Sequence, residues 1–288
     1  MTAKTGKINP QSTDVQLNEV ICTKDKNYWI AGDNGTLFFR EGNEGEFKKV
    51  DLKTKENILK VKFLNEDLGY VVADSSLFKT LNGGKDWVKI NSFGLNYSIM
   101  LKDVCIIDEN RISILWHPKE GRFSDCLYLL NSSDQGLTWQ TAWFDKLVFV
   151  PLHGANDLPS LNPHGFTDFR INKSGFGYAI AGGIFYQISN NARNWKEAQI
   201  QTREGKEFSD IVTISGYKVL LLSVNGILCA SNDLIHWAKI KFPGLYNLPV
   251  AMSFYNENEG WIVGRHGLIS KVKLDWDEIN IAKRIPGF

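Results

Sequence analysis

A large aromatic side chain returns along this chain at Phe47, Trp87, Trp139, Trp195, Trp237 and Trp276, and most successive spacings are near 40 residues. A fixed period of about 40 residues means a repeat architecture, in which one supersecondary unit recurs because it cannot bury its apolar face alone. The two longer spacings, before Trp139 and before Trp195, each contain an insertion. Between anchors the same phrases recur: YWIAGDNGTLFF (28–39), GYVVADSSLFKT (69–80), GFGYAIAGGIFYQIS (175–189), YKVLLLSVNGILCAS (217–231) and GWIVGRHGLIS (260–270). A further copy, RISILW (111–116) then DCLYLLNSSDQGLTW (125–139), is interrupted.

Each unit holds four strand-sized runs, A to D. In the second unit they are Leu59–Phe63, Gly69–Ala73, Ser76–Thr80 and Trp87–Asn91, all alternating or rich in β-branched residues. A single four-stranded sheet exposes both faces, whereas sheets packed radially cover one another. The architecture expected is therefore all-β: a six-bladed β-propeller of four-stranded antiparallel blades, with seven blades the lesser alternative. Residues 1–17 read as an N-terminal segment able to supply an outer closing strand, and residues 18–288 as a single propeller domain.

The turn before the anchor carries the sharpest motif. Ser132-Ser133-Asp134-Gln135-Gly136-Leu137-Thr138-Trp139 fits S-x-D-x-G-x-T-W throughout, and Thr80-Leu81-Asn82-Gly83-Gly84-Lys85-Asp86-Trp87 is a close variant. The residue types suit the turn: Asp134 or Asn82 accepts turn N–H groups, Gly136 or Gly84 takes positive φ, and the Trp seals the space beside the next sheet. The turns before Trp195 and Trp237 are one residue shorter and lack the glycine.

These phrases resemble the Asp-box of bacterial neuraminidase (BNR) repeats. Taken with Gly-Trp/Tyr-x-Val-Gly/Ala, the following hairpin and N-G-G-x-x-W, they most resemble the propellers of the photosystem II assembly and stability factor family. That resemblance runs from about Asn18 to Ile285. It implies a propeller with degenerate Asp-box turns that acts as a chaperone-like scaffold, holding a partner protein during assembly without catalysis.

Composition limits the other classes. With 33 basic against 32 acidic residues, the chain has no net field to draw it to nucleic acid, and no run approaches the length of a membrane span. The polar start, Met1 to Pro10, gives the cytoplasm as the expected compartment, or the periplasm or a lumen if a leader has been removed. Cys22, Cys105, Cys126 and Cys229 lack paired or metal-type spacing and read as small buried hydrophobes in a reducing environment. No cofactor and no metal are expected. A sialidase reading requires converging arginines, an acid/base Asp and a Tyr/Glu pair. Only Arg284-Ile285-Pro286 resembles such a motif, and it sits at the wrong end of the chain.

Strand polarity supplies the pointer to a site. In a four-stranded antiparallel blade, B–C turns and D-to-A connections emerge on one face, and A–B and C–D turns on the other. Both insertions fall on the first face. One is Trp116 to Ser124 with His117, Lys119, Arg122 and Phe123; the other is Trp143 to Gly165 with Phe144, His153, Asn156, Asp157 and His164. Arg265 and His266 map to the same face. Long loops bearing aromatics and arginine are typical of interface anchors. The function expected is a non-enzymatic protein-binding scaffold, monomeric by itself, gripping one protein partner as an assembly client. The alternatives are a bacterial immunity protein that neutralises a toxin and, from a different class, a sialidase-like glycosidase.

Overall fold

In the computed structural model the described residues are 6–7, 15–23, 26–42, 45–90, 92–96, 98–120, 128–142, 166–171, 176–181, 184–189, 194–197, 208–215, 218–223, 227–233, 237–241 and 249–277. They form strands β1 (Gly6–Lys7), β2 (Leu17–Cys22), β3 (Tyr28–Gly32), β4 (Thr36–Arg40), β5 (Lys48–Lys49), β6 (Ile58–Phe63), β7 (Gly69–Ala73), β8 (Leu77–Thr80), β9 (Val88–Ile90), β10 (Ile99–Ile106), β11 (Ile112–Pro118) and β12 (Tyr128–Ser132). There follow β13 (Gln140–Ala142), β14 (Phe166–Ile171), β15 (Gly177–Ala181), β16 (Ile184–Ser189), β17 (Asn194–Glu197), β18 (Phe208–Ser215), β19 (Lys218–Ser223), β20 (Ile227–Ser231), β21 (Ala238–Lys241), β22 (Pro249–Phe254), β23 (Glu259–Gly264) and β24 (Ile269–Lys273).

The amino-acid pattern explains the burial gradient across each sheet. The second strands YWIAG in β3 and GYVVA in β7 are buried at every position, as continuous apolar runs covered on both faces must be, and β19 and β23 are buried at all but their first residue. The fourth strands β5 and β9 are largely exposed, whereas β21 still buries Ala238 and Ile240. Pairing is antiparallel throughout.

The expectation of six blades, or of seven, is corrected. Five blades consist of four consecutive strands: β2–β5, β6–β9, β10–β13, β14–β17 and β18–β21. The remaining sheet is composite, in the order β1-β24-β23-β22, so its outer strand comes from near the N-terminus. The reason lies at Trp276, read from the sequence as the anchor of a sixth D strand. Leu274 donates its N–H to Asn258 O at 2.6 Å, and the Asp275 carboxylate accepts the Asp277 N–H at 2.9 Å. The chain thereby enters a helical turn in place of a strand, and Gly6 and Lys7 pair with Lys271 and Ser270. Trp276 is still buried, with its indole Nε1 donating to Glu257 O at 2.6 Å.

The chain divides into two compact units, Leu52–Glu197 and a second made of Met1–Asp51 with Ala198–Phe288. The core of the first includes Tyr70, Val72, Leu101, Val104, Ile114, Trp116 and Leu130. In the second, one cluster joins Leu220, Leu222, Met252, Ile262 and Trp276, and another joins Leu17, Val20, Tyr28, Trp261 and Val263. Cys105 and Cys229 are buried free thiols and Cys22 is half-buried; burial pushes the Cys229 thiol up to about 12. Cys126 lies outside the described residues.

The turn between β12 and β13 owes its shape to its own side chains. Ser132 Oγ accepts the Gly136 N–H at 2.7 Å and donates to Asp134 Oδ1 at 2.7 Å, while Thr138 donates to Asp134 from its N–H at 2.8 Å and its hydroxyl at 2.5 Å. Gly136 has φ of 89°, the left-handed region that favours glycine, and a Cβ there would stand 2.7 Å from Ile90 Cδ1 and displace that side chain. The turn between β8 and β9 repeats the scheme, with Gly84 N–H to Thr80 Oγ1 at 2.9 Å and Asp86 N–H to Asn82 Oδ1 at 3.0 Å. Trp87 and Trp139 are half-buried behind these turns, against Phe63 and Phe93 with ring centroids 5.9 and 5.6 Å apart.

Candidate functional site

The first strand of every sheet has the same irregularity. Register slips by one residue between Leu17 and Glu19, Ile58 and Lys60, Leu101 and Asp103, Phe166 and Asp168, Phe208 and Asp210, and Pro249 and Ala251. A bulge of this kind leaves ladder groups unpaired and re-aims side chains. The residue that follows it is ionisable in five of the six strands, and Glu19, Lys60, Asp103, Asp168 and Asp210 are all buried.

The bulge explains why a charge is tolerated there. Asp103 Oδ1 accepts the N–H of Val104 at 2.7 Å, and Asp210 Oδ1 accepts the N–H of Ile211 at 2.8 Å. The second oxygen of Asp210 accepts Met252 N–H at 2.6 Å, joining β18 to the first strand of the next sheet. A carboxylate, with lone pairs on two oxygens, satisfies two such donors at once.

In the unit Leu52–Glu197 these positions form an ionic cluster. Lys62 Nζ lies 2.6 Å from Asp103 Oδ1 and 3.5 Å from Asp168 Oδ1, and Arg170 Nε lies 3.2 Å from Asp168 Oδ2. The carboxylates are closed off, whereas the Lys62 and Arg170 side chains are 14% and 41% exposed. Burial raises the Asp103 carboxyl above the usual carboxylate range, and Lys62 and Lys60 only partly offset it. Burial acts on Asp168 in the same sense, but Arg170, Lys62 and Lys60 outweigh it and hold that carboxyl low. Two carboxylates driven apart around one shared ammonium can serve proton transfer, and a structural ion network has the same signature. Asp103 Oδ1 already receives both Lys62 and a backbone N–H.

A second buried cation, Arg40, stands at the end of β4 where Thr80 and Ser132 open the other turns. Its guanidinium lies 4.4, 4.9 and 4.8 Å from the ring centres of Tyr28, Phe47 and Trp261. Stacking on three rings there takes the place of the hydroxyl-centred turn.

Of the site residues expected from the sequence, Trp116 requires correction. It is not in a loop: β11 pairs residue for residue with β10, Leu101 facing Trp116, Met100 facing His117 and Ile99 facing Pro118. Trp116 is 0% exposed and stacks on Tyr128, with centroids 4.9 Å apart. His117 is also buried, its Nδ1 2.9 Å from Pro118 O. Lys119 is exposed just beyond β11, its N–H donating to Ser98 O at 3.0 Å. Arg265 and His266 are exposed in a tight 3-10 turn, with His266 in the left-handed region at φ of 53°. Arg122, Phe123, Trp143, Phe144, His153, Asn156, Asp157 and His164 lie outside the described residues, as does Arg284.

The charged bulge positions went unread in the sequence, although a signal was present. The phrases LNEV, ILKV, LKDV, FTDF and FSDI recur in the first five first strands with one pattern: apolar, any residue, ionisable, apolar.

No protein-family model matches the chain, and no curated protein matches it in sequence. Solved structures do resemble it. A structure of YCF48 bound to D1 peptide matches with a TM-score of 0.57 at 17% identity, covering 95% of this chain and 100% of that one. A virginiamycin B lyase from Staphylococcus aureus, with quinupristin, matches with a TM-score of 0.65 at 9% identity, covering 95% and 100%. A putative gluconolactonase matches with a TM-score of 0.67 at 7% identity, covering 94% and 92%. At such identities the likeness establishes the fold alone, an all-β propeller, and propellers of this kind are seen both with a bound peptide and in proteins named as a lyase or a putative lactonase.

Proposed function

We propose that this chain is a non-enzymatic scaffold that holds a protein partner, in the manner of an assembly factor with Asp-box-like turns. The observation that carries the reading is the state of the buried acids. Asp103, Asp168 and Asp210 are each engaged by lysine, arginine or backbone N–H groups of their own and neighbouring strands, which suits a bearing that locks sheets together. YCF48, one of the similar structures, is seen bound to a peptide, which favours a protein partner over a small substrate.

The reading assigns the grip to Lys119 and the rest of the two insertions expected from the sequence, 119–124 and 143–165, with the Arg265–His266 turn tested separately. The experiment has two arms. A partner captured from the native source and identified by mass spectrometry is expected to bind the purified chain stoichiometrically and to lose at least about tenfold in affinity on Lys119→Ala combined with Arg122→Ala and Phe144→Ala. Sialosides, other glycosides and lactones are expected to remain intact. Turnover of any of them that disappears on Asp103→Asn overturns the proposal.

A further inference from the structure

The large apolar side chains that are exposed among the described residues are Leu64, Leu81, Val88, Leu137 and Phe176, and all belong to the unit Leu52–Glu197. Their positions share a logic. Leu64 follows β6, Leu81 follows β8, Val88 opens β9, Leu137 lies between β12 and β13, and Phe176 precedes β15. Every one is therefore in or beside a first-to-second or third-to-fourth strand turn, at the end of the sheets opposite Lys119.

The turns do not need these residues. Their hydrogen bonds come from Thr80, Asn82 and Asp86, and from Ser132, Asp134 and Thr138, while Leu81 and Leu137 occupy unconstrained positions at 59% and 77% exposure. The turns are tied to one another. Gly83 N–H donates to Asp67 O at 3.0 Å, and across to the next sheet Lys79 Nζ reaches Gln135 Oε1 at 3.5 Å and Tyr70 Oη reaches Gln135 O at 3.4 Å.

The charge around the leucines is mostly acidic, with Lys79 reaching in beside Gln135. Turns 64–68, 81–87, 107–111 and 133–139 carry Glu66, Asp67, Asp86, Asp108, Glu109 and Asp134 against two cations, Lys85 and Arg111. Arg111 is already held by Asp108 at 2.6 Å. A rigid surface that sets leucines among surplus carboxylates is complementary to a segment with apolar side chains on one face and lysine or arginine around them.

We propose that this end of the Leu52–Glu197 unit docks a basic amphipathic segment of a partner protein, a contact additional to the grip at Lys119. The test uses the full chain and a fluorescein-labelled helical peptide of about 18 leucine and lysine residues with the leucines on one face. A Leu/Glu peptide of the same pattern serves as control, and anisotropy is read from about 50 to 500 mM salt. The Leu/Lys peptide is expected to bind, with affinity falling at least about tenfold in Leu81→Ser/Leu137→Ser and in Glu66→Lys/Glu109→Lys, and unchanged in Lys196→Ala. If the leucine variant loses its fold, the charge-reversal pair decides alone. Equal binding of the Leu/Glu peptide, or effects within twofold in the charge variant, overturns the proposal. So does sedimentation showing that the chain pairs with itself through these leucines. None of these outcomes bears on the scaffold reading, which is tested separately at Lys119, Arg122 and Phe144.

Discussion

Replacing Trp116 with alanine separates a core role from an interface role. The indole is fully buried between β10 and β12, stacked on Tyr128 and surrounded by Leu101, Ile114 and Leu130. A tryptophan buries about 150–250 Å². At about 25 cal/mol per Å² that corresponds to about 4–6 kcal/mol, an upper bound because real unfolded chains already bury part of this area. The result, about 3–5 kcal/mol, agrees with the range found on emptying large aromatic sites. Guanidinium unfolding followed by far-ultraviolet dichroism reads the loss, and Trp116→Phe, which keeps a ring against Tyr128, is expected to recover much of it. Lys119→Ala, three residues along and exposed, is expected to stay within about 0.5 kcal/mol. A Trp116→Ala loss below about 1 kcal/mol, or one equalled by Lys119→Ala, refutes the packing argument.

Two further outcomes test the charges. Asp134 is held down to about 2 by hydrogen bonds from Thr138 and Ser132, against about 3.9 for a free aspartate. Because the folded value is depressed, its stabilisation is full above pH ~4 and lost as pH falls through ~2; the melting gap between wild type and Asp134→Asn should close over that window, and a pH-independent gap contradicts the assignment. Lys62→Met leaves Asp103 and Asp168 buried without their shared cation, for an expected loss of about 3–5 kcal/mol. Adding Asp103→Leu should restore most of it, and additive losses in the double-mutant cycle would show that the pair is not coupled.

How far the chain could be read from its residues depended on whether local chemistry settled the matter. The second sheet was legible almost to the residue: Gly69–Ala73 is a strand as expected, and the observed Ile58–Phe63, Leu77–Thr80 and Val88–Ile90 differ from the expected bounds by one residue at most ends. There, hydrophobic runs alternate with turns whose side chains make their own hydrogen bonds. Trp116 was misread because His117-Pro118-Lys119-Glu120-Gly121 has turn composition, whereas pairing with the eight-residue β10 carries the strand through Pro118. The charged first-strand positions were hidden for another reason. A lone Asp or Lys in an alternating strand reads as solvent-facing, and only a bulge, a property of pairing, turns it inward. At Trp276 the spacing was right and the structure differed, because Asp275 starts a helical turn.

The composite sheet also fixes an order of events. All three sheets of Leu52–Glu197 are complete once Glu197 has been synthesised, so this unit can fold while the ribosome is still adding the rest. The other unit must wait. A ladder there joins Gly6 and Lys7 to Lys271 and Ser270, so β1 is seated only after β24 has been made, and until then Leu17, Val20 and Tyr28 lack the Trp261, Val263 and Ile269 that cover them.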